Sequence, residues 1–270
     1  MLKPNLIPLL TLTVIISLQS CKKDDAHNPP AEHHEKLSAI EWNSGFKETY
    51  EYNADNKLKK IRYKASQSSE DAVEFTWSGN LMTEVRENSS IYKNVYHYSA
   101  GKVIRSTNET RNSPSTVYYN LDYDYRGDGK VDKMRYITYA ANGPELKAET
   151  IYHYNATGDL TSTVTDMGST IVTQQIDGYT TVNFNPWVFI DLTLLENYMI
   201  FNYPVLSSMK GFPKKITRIV KQGNDPEFVD IVTTHNFEIN KNRITKMEVE
   251  LSSPTTPQLN RKRTALFTYK

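Results

Sequence analysis

Six side chains recur at one position of a repeated phrase and could, by residue type, do chemistry: Glu51, Thr76, His97, Asp124, His153 and Glu238. Each stands between two aromatic or apolar residues, as in Tyr50-Glu51-Tyr52, Tyr96-His97-Tyr98 and Tyr152-His153-Tyr154. A row of acids and imidazoles is the raw material of a metal site or an acid–base pair. Distance weighs against both. Equivalent positions two strands apart in a meander are separated by about 9.6 Å, whereas zinc ligands sit about 2.0 Å from a shared ion. A solvated polar face is expected instead. Asp124, Asp128 and Asp132 match the first, fifth and ninth positions of a calcium loop, with Gly129 at the sixth. Arg126 and Arg135 occupy the third and twelfth, where oxygen ligands are wanted, so a longer hairpin turn is the default and no metal is expected. Ser207-Ser208-Met209-Lys210 has the Ser-x-x-Lys spacing without its companion elements, and no Gly-x-Ser-x-Gly elbow or phosphate-cradling glycine loop is present. No cofactor is implied. The chain reads as a non-enzyme, with a glycan hydrolase using paired carboxylates on the sheet face as the less favoured alternative.

The elements that must position these residues are strands. The phrase aromatic, polar, aromatic, then a short Asn/Ser/Gly turn, then an aliphatic residue begins at Tyr50, Phe75, Tyr96, Tyr123 and Tyr152, weakens at Phe237, and ends as half a copy at Phe267-Thr268-Tyr269. Period-two alternation marks a strand, and Gly or Asn at the turn supplies the positive φ of tight hairpins, so each copy is one β-hairpin. Copies that cannot bury their faces alone must stack on their neighbours. The predicted fold is mainly β: a curled antiparallel meander of tandem hairpins, an open or partly closed barrel-like sheet. One apolar helix is predicted near residues 186–198, where Asn185 is a cap candidate and Pro186 suits a first turn. With Trp187, Ile190, Leu194 and Tyr198 on one face and Phe189, Leu192 and Leu195 widening it, that helix should be buried against the sheet.

The two aromatics of each phrase share a face. They form a core if the helix and loops cover them; left open, they form a platform on which Trp77, Tyr98, Tyr125 and Tyr154 could hold a flat sugar face or a peptide. Composition narrows the partners. The 32 Lys+Arg balance 31 Asp+Glu, giving a net charge of +1, so the basic excess of a nucleic-acid binder is missing. Eighteen Tyr, nine Phe and three Trp are far more aromatic surface than a disordered chain carries, and the single Cys rules out a disulfide framework.

That Cys has a role of its own. Residues 6–18 are an uncharged apolar run behind Lys3, too short to cross a bilayer as a helix. Leu18-Gln19-Ser20-Cys21 follows and resembles the lipobox of bacterial lipoproteins, which implies a signal peptide over residues 1–20 and acyl chains on Cys21 that anchor the mature chain to a membrane. Lys23-Asp24-Asp25 lies next and resembles the charged export signal of surface-exposed Bacteroidota lipoproteins. This resemblance implies an outer-membrane location at the cell surface, with the periplasmic face as the alternative. Residues 21–37, with Pro29 and Pro30, read as a tether, and residues 38–270 as a single β domain. The tyrosine phrases resemble the YD-repeat (Rhs-type) family and, in setting, Bacteroidota lipoproteins with tandem tyrosine-rich hairpins. The copies here are too few for the closed shell of the large Rhs proteins. The resemblance implies architecture and leaves the partner open: a lipid-anchored binding or scaffolding protein whose ligand is a glycan or another envelope protein.

Overall fold

The computed structural model describes residues 36–65, 69–112, 115–188, 190 and 203–270. Cys21, Lys23, Asp24 and Asp25 lie outside the described residues. The first half of the domain consists of β1 (Leu37–Trp42), β2 (Lys47–Tyr52), β3 (Leu58–Lys64), β4 (Asp71–Ser78), β5 (Leu81–Glu87), β6 (Tyr92–Ser99), β7 (Lys102–Thr110) and β8 (Val117–Tyr125). The second half consists of β9 (Val131–Ala140), β10 (Gly143–Tyr154), β11 (Leu160–Asp166), β12 (Thr170–Asn183), β13 (Gly211–Gln222), β14 (Phe228–Asn240), β15 (Arg243–Ser252) and β16 (Arg261–Tyr269). Each strand pairs antiparallel with the strands before and after it in sequence, and β1 pairs with β16.

The expected meander of hairpins is present, but the sheet is neither open nor partly closed. It is a complete barrel of sixteen strands. The seam forms because Phe267 of the C-terminal half phrase lies opposite Ile40, and both are buried. Closure leaves no strand edge with unpaired backbone groups. The hairpin turns follow the local rules: Ala100 and Gly101 adopt φ of 48° and 77°, the two successive left-handed residues of a tight turn whose twist matches the flanking strands.

The predicted helix is corrected where the chain is described. Pro186, Trp187 and Val188 form a turn, in which the Asn185 side chain accepts the Trp187 N–H at 2.9 Å and its carbonyl accepts the Val188 N–H at 3.1 Å. Asn185 therefore caps a turn in the manner of a helix start. Phe189 and residues 191–198 lie outside the described residues. Among the described residues there is no α-helix, only the single 3-10 turns Leu206–Ser208 and Pro257–Leu259.

The core lies inside the barrel. Leu37, Ile40, Tyr50, Leu58, Ile61, Phe75, Val85, Leu121, Met134, Tyr152, Ile216 and Met247 belong to one buried cluster. The described parts of the 184–210 insert, between β12 and β13, join the same cluster through Val188, Ile190, Tyr203, Val205 and Leu206. The first aromatic of several phrases receives them. The Tyr50 hydroxyl donates to the Trp187 carbonyl at 3.3 Å, the Phe75 ring meets Trp187 edge-on at 5.8 Å, and Tyr203 lies against Tyr123 and Tyr152. The described parts of the insert thus pack inside the barrel against the first aromatics of the phrases.

Candidate binding surfaces of the barrel

Every full phrase carries the same irregularity. The register shifts between Glu51 and Tyr52, Thr76 and Trp77, His97 and Tyr98, Asp124 and Tyr125, and His153 and Tyr154, and again between Glu238 and Ile239. In each case the partner strand carries one extra residue, such as Thr83, Thr161 or Thr245, whose hydroxyl donates back to the carbonyl of Thr76, His153 or Glu238. A bulge bends its strand and sharpens the local twist, and its repetition around the sheet helps it curl into a ring.

The second aromatic of each phrase is half-buried at the same rim, and its polar end is committed. Tyr52, Trp77, Tyr98, Tyr125 and Tyr154 donate to the carbonyls of Leu37, Leu58, Met82, Val103 and Val131 on the preceding strand. Tyr179 and Tyr269 do the same to Leu160 and Ile244, although the full phrase is missing from β12 and only half of it is present on β16. At the corresponding place on β14 stands Ile239, which is exposed and has no polar end to donate, while Phe237 at the first position packs on Phe212 at 5.6 Å. Burial raises the phenols of Tyr52, Tyr125 and Tyr154 to about 12, so they act as donors throughout the ordinary pH range. Trp77, Tyr98, Tyr125 and Tyr154, which the sequence offers as a ligand platform, are therefore brought together as latches between strands. Lys102 covers the Tyr125 ring, and Arg126 and Lys130 cover that of Tyr154.

The middle residues point outward, as the alternation requires, on strands separated by an intervening strand. Glu51 pairs with Arg62, Asp124 with Arg135 and Glu238 with Lys246, and the His97 ring bonds the Thr107 hydroxyl at 3.0 Å. Asp128 accepts the Lys130 N–H and lies 3.6 Å from Arg126, while Asp132 is the extra residue of the β9 bulge. Among the described residues no group of three or more His, Cys, Asp or Glu side chains is placed to hold a metal ion. The Ser207 and Ser208 hydroxyls donate to the carbonyls of Pro204 and Val205, and Lys210 donates to the Thr157 carbonyl.

Ion pairs run from strand to strand over the outer wall. Glu74 bridges Lys60 and Arg86, Lys93 bridges Glu84 and Glu109, Arg105 binds Asp122, and Lys133 binds Glu149. Hydrogen bonds from Lys60 and then Arg86 hold the Glu74 carboxyl down at about 2. The lumen away from the insert is polar in turn. Asn94 and Asn108 are buried and bond at 3.0 Å, and Arg218 pairs with Asp230. His235 is buried, and desolvation lowers its imidazole to about 4. Burial also raises the Glu48 carboxyl, which accepts the Tyr50 hydroxyl.

A concavity of about 740 Å³ opens on the outer wall across β6 to β9. Its floor includes Thr107 and Asn120, which lie opposite each other in the ladder and are buried although they face outward. Its walls include Arg105, Arg135, Ile104 and Tyr139. Sequence reasoning missed Asn120 and Tyr139. Both lie outside the repeated phrase, and nothing in their immediate neighbours separates them from other outward polar residues.

No protein-family model matches the chain, and no curated protein matches it. Solved structures do. A porin-like protein from Bacteroides uniformis superposes with a TM-score of 0.58 at 13% identity, covering 87% of this chain and 96% of that one. A porin-like protein from Bacteroides vulgatus gives 0.56 at 14% identity, covering 87% and 98%. The chain therefore has the closed antiparallel barrel fold of these porin-like proteins over nearly their whole length.

Proposed function

We propose that the mature protein is a barrel held at the outer membrane by acyl chains on Cys21, with a water-facing wall and a non-enzymatic binding or scaffolding role at the cell surface. The porin-like neighbours are consistent with an outer-membrane location. The observation that carries the reading is the sidedness of the barrel. A membrane-spanning barrel turns an apolar band about 25 Å tall toward lipid and keeps its interior polar. Here the outer wall carries the Lys60–Glu74–Arg86 and Lys93–Glu84/Glu109 chains, while the apolar cluster lies inside. A single Lys or Arg on a lipid face at mid-bilayer costs about 2–4 kcal/mol, and these rows would multiply that cost. Attachment by lipid on Cys21 needs no such exposure, since two or more acyl chains suffice for stable anchoring. Pairing of the outward carboxylates Glu74, Asp122, Asp124 and Glu149 with Lys or Arg favours binding over hydrolysis.

Detergent phase partitioning of the full chain tests the reading. The wild type is expected in the detergent phase with incorporated radiolabelled palmitate, and Cys21→Ser in the aqueous phase without it. A Cys21→Ser protein that lacks residues 1–20 and still stays in the detergent phase would mean that the wall itself enters lipid.

A further inference from the structure

We propose that the outer concavity across β6 to β9 is a binding site for a neutral saccharide. This gives a ligand class to the binding role above and rests on that reading's water-facing wall. The argument begins with Asn120. It is 4% exposed, it lines the concavity, and its Oδ1 has no hydrogen-bond partner while its Nδ2 donates to the Tyr139 hydroxyl at 2.7 Å. A buried amide with one end unpaired is costly, so a ligand hydroxyl that reaches it past the covering Tyr139 phenol gains what folding left unpaired. The two ends of an amide can be exchanged, in which case the orphan becomes a donor. A hydroxyl satisfies either orientation, because it both donates and accepts.

Charge disfavours an ionic ligand, since Glu109 in the lining is bound to Lys93 at 3.4 Å. The two guanidinium groups in the walls are already taken: Arg105 by Asp122 at 2.5 and 2.8 Å, Arg135 by Asp124 at 2.7 and 3.0 Å. Each is a two-point pair that leaves outer N–H groups and carboxylate lone pairs side by side, a lining that matches vicinal hydroxyls and has no surplus cation for a phosphate or carboxylate. Ile104 and Tyr139, at 42% and 38% exposure and on opposite sides of β8, each add an apolar edge for the C–H face of a sugar ring. The volume lies within the range of about 300–1,000 Å³ usual for small-molecule sites. A peptide fits less well, since peptides commonly gain affinity by adding a strand to a sheet edge and this closed barrel has none.

The test uses the full chain, solubilised in detergent, on an array of neutral and charged glycans, followed by titration calorimetry with the best neutral oligosaccharide. Wild type is expected to bind neutral glycans, with affinity reduced at least tenfold by Asn120→Leu and several-fold by Tyr139→Phe, and unchanged by Tyr125→Phe at the latch rim. If near-UV circular dichroism shows that Asn120→Leu is misfolded, Tyr139→Ala decides in its place, with the same tenfold loss expected. Three results overturn the proposal: no neutral glycan bound at millimolar concentration, binding confined to acidic glycans, or neutral binding that survives the Asn120 and Tyr139 variants. Because phase partitioning of Cys21→Ser is read on separate samples, aqueous partition together with absent glycan binding would defeat the ligand while leaving the anchored, water-facing barrel standing.

Discussion

The Tyr125 hydroxyl donates to the Val103 carbonyl at 2.6 Å, tying the end of one strand to the start of the strand before it. Val103 is the second residue after the tight turn formed by Ala100 and Gly101, so the bond holds a turn-proximal carbonyl that would otherwise meet water at a half-buried rim. Removing the hydroxyl while keeping the ring isolates this contribution. Tyr125→Phe should cost about 1 kcal/mol in urea unfolding with no change in slope. Tyr52→Phe and Tyr154→Phe should cost similar amounts, and the losses should add, because the latches share no partner.

Burial has a pH signature at His235. Its folded pKa of about 4 lies below the ordinary 6.5, so the folded state binds fewer protons than the unfolded one between those values. Stability contributed by the neutral ring is full above pH 6.5 and is lost as pH falls toward 4. The loss is on the order of 3 kcal/mol. His235→Phe should flatten the stability profile across that interval, as measured by urea midpoints at successive pH values.

Glu74 operates in a lower window. Its carboxyl is held near 2 against an ordinary 4.5, so its contribution is present above pH 4.5 and disappears as pH falls through 2. Glu74→Gln should lower stability at pH 7 by about 1 kcal/mol, since the side chain is partly screened by solvent, and the difference from wild type should vanish near pH 2. Raising the salt concentration at pH 7 should narrow the same gap.

Gly211 opens β13 with no space for a side chain. An added Cβ would lie 2.2 Å from the backbone oxygen of Thr180, while the neighbouring Phe212 N–H donates to the Thr180 hydroxyl at 2.9 Å. Since the obstacle is backbone, Gly211→Ala must push β12 and β13 apart where they flank the insert. A loss of about 1–3 kcal/mol is expected, read as a lower thermal midpoint.

Much of this architecture is legible in the sequence because the phrase is a local code. Alternation alone puts Tyr50, Tyr96, Tyr123 and Tyr152 on one face, and the barrel makes that face the core, where all four are buried. Closure is less legible, because the Ile40–Phe267 pairing joins residues at opposite ends of the chain and follows from the accumulated bend of many bulged strands. Strands β12 and β13 lack the phrase, yet Tyr179 keeps its latch to Leu160. The second aromatic of the phrase, rather than the pair, therefore carries this contact. The outer concavity was hidden for another reason. Asn120 lies one residue from the inward Leu121 on an ordinary alternating strand, and its burial depends on Tyr139 of the next strand covering it.

The barrel's last seam joins the two ends of the domain: Lys36 and Lys270 exchange backbone hydrogen bonds, and the Ser38 hydroxyl reaches the Thr268 carbonyl across 230 residues. A chain that emerges amino end first must therefore wait for its final strand before the ring can shut. Throughout that wait β1 and the latest strand to arrive offer bare backbone to any neighbour, and bringing such distant ends together costs about 5 kcal/mol in lost chain freedom. Assembly of this protein is thus set by its tail, and a nascent copy released early would be the form most prone to clump.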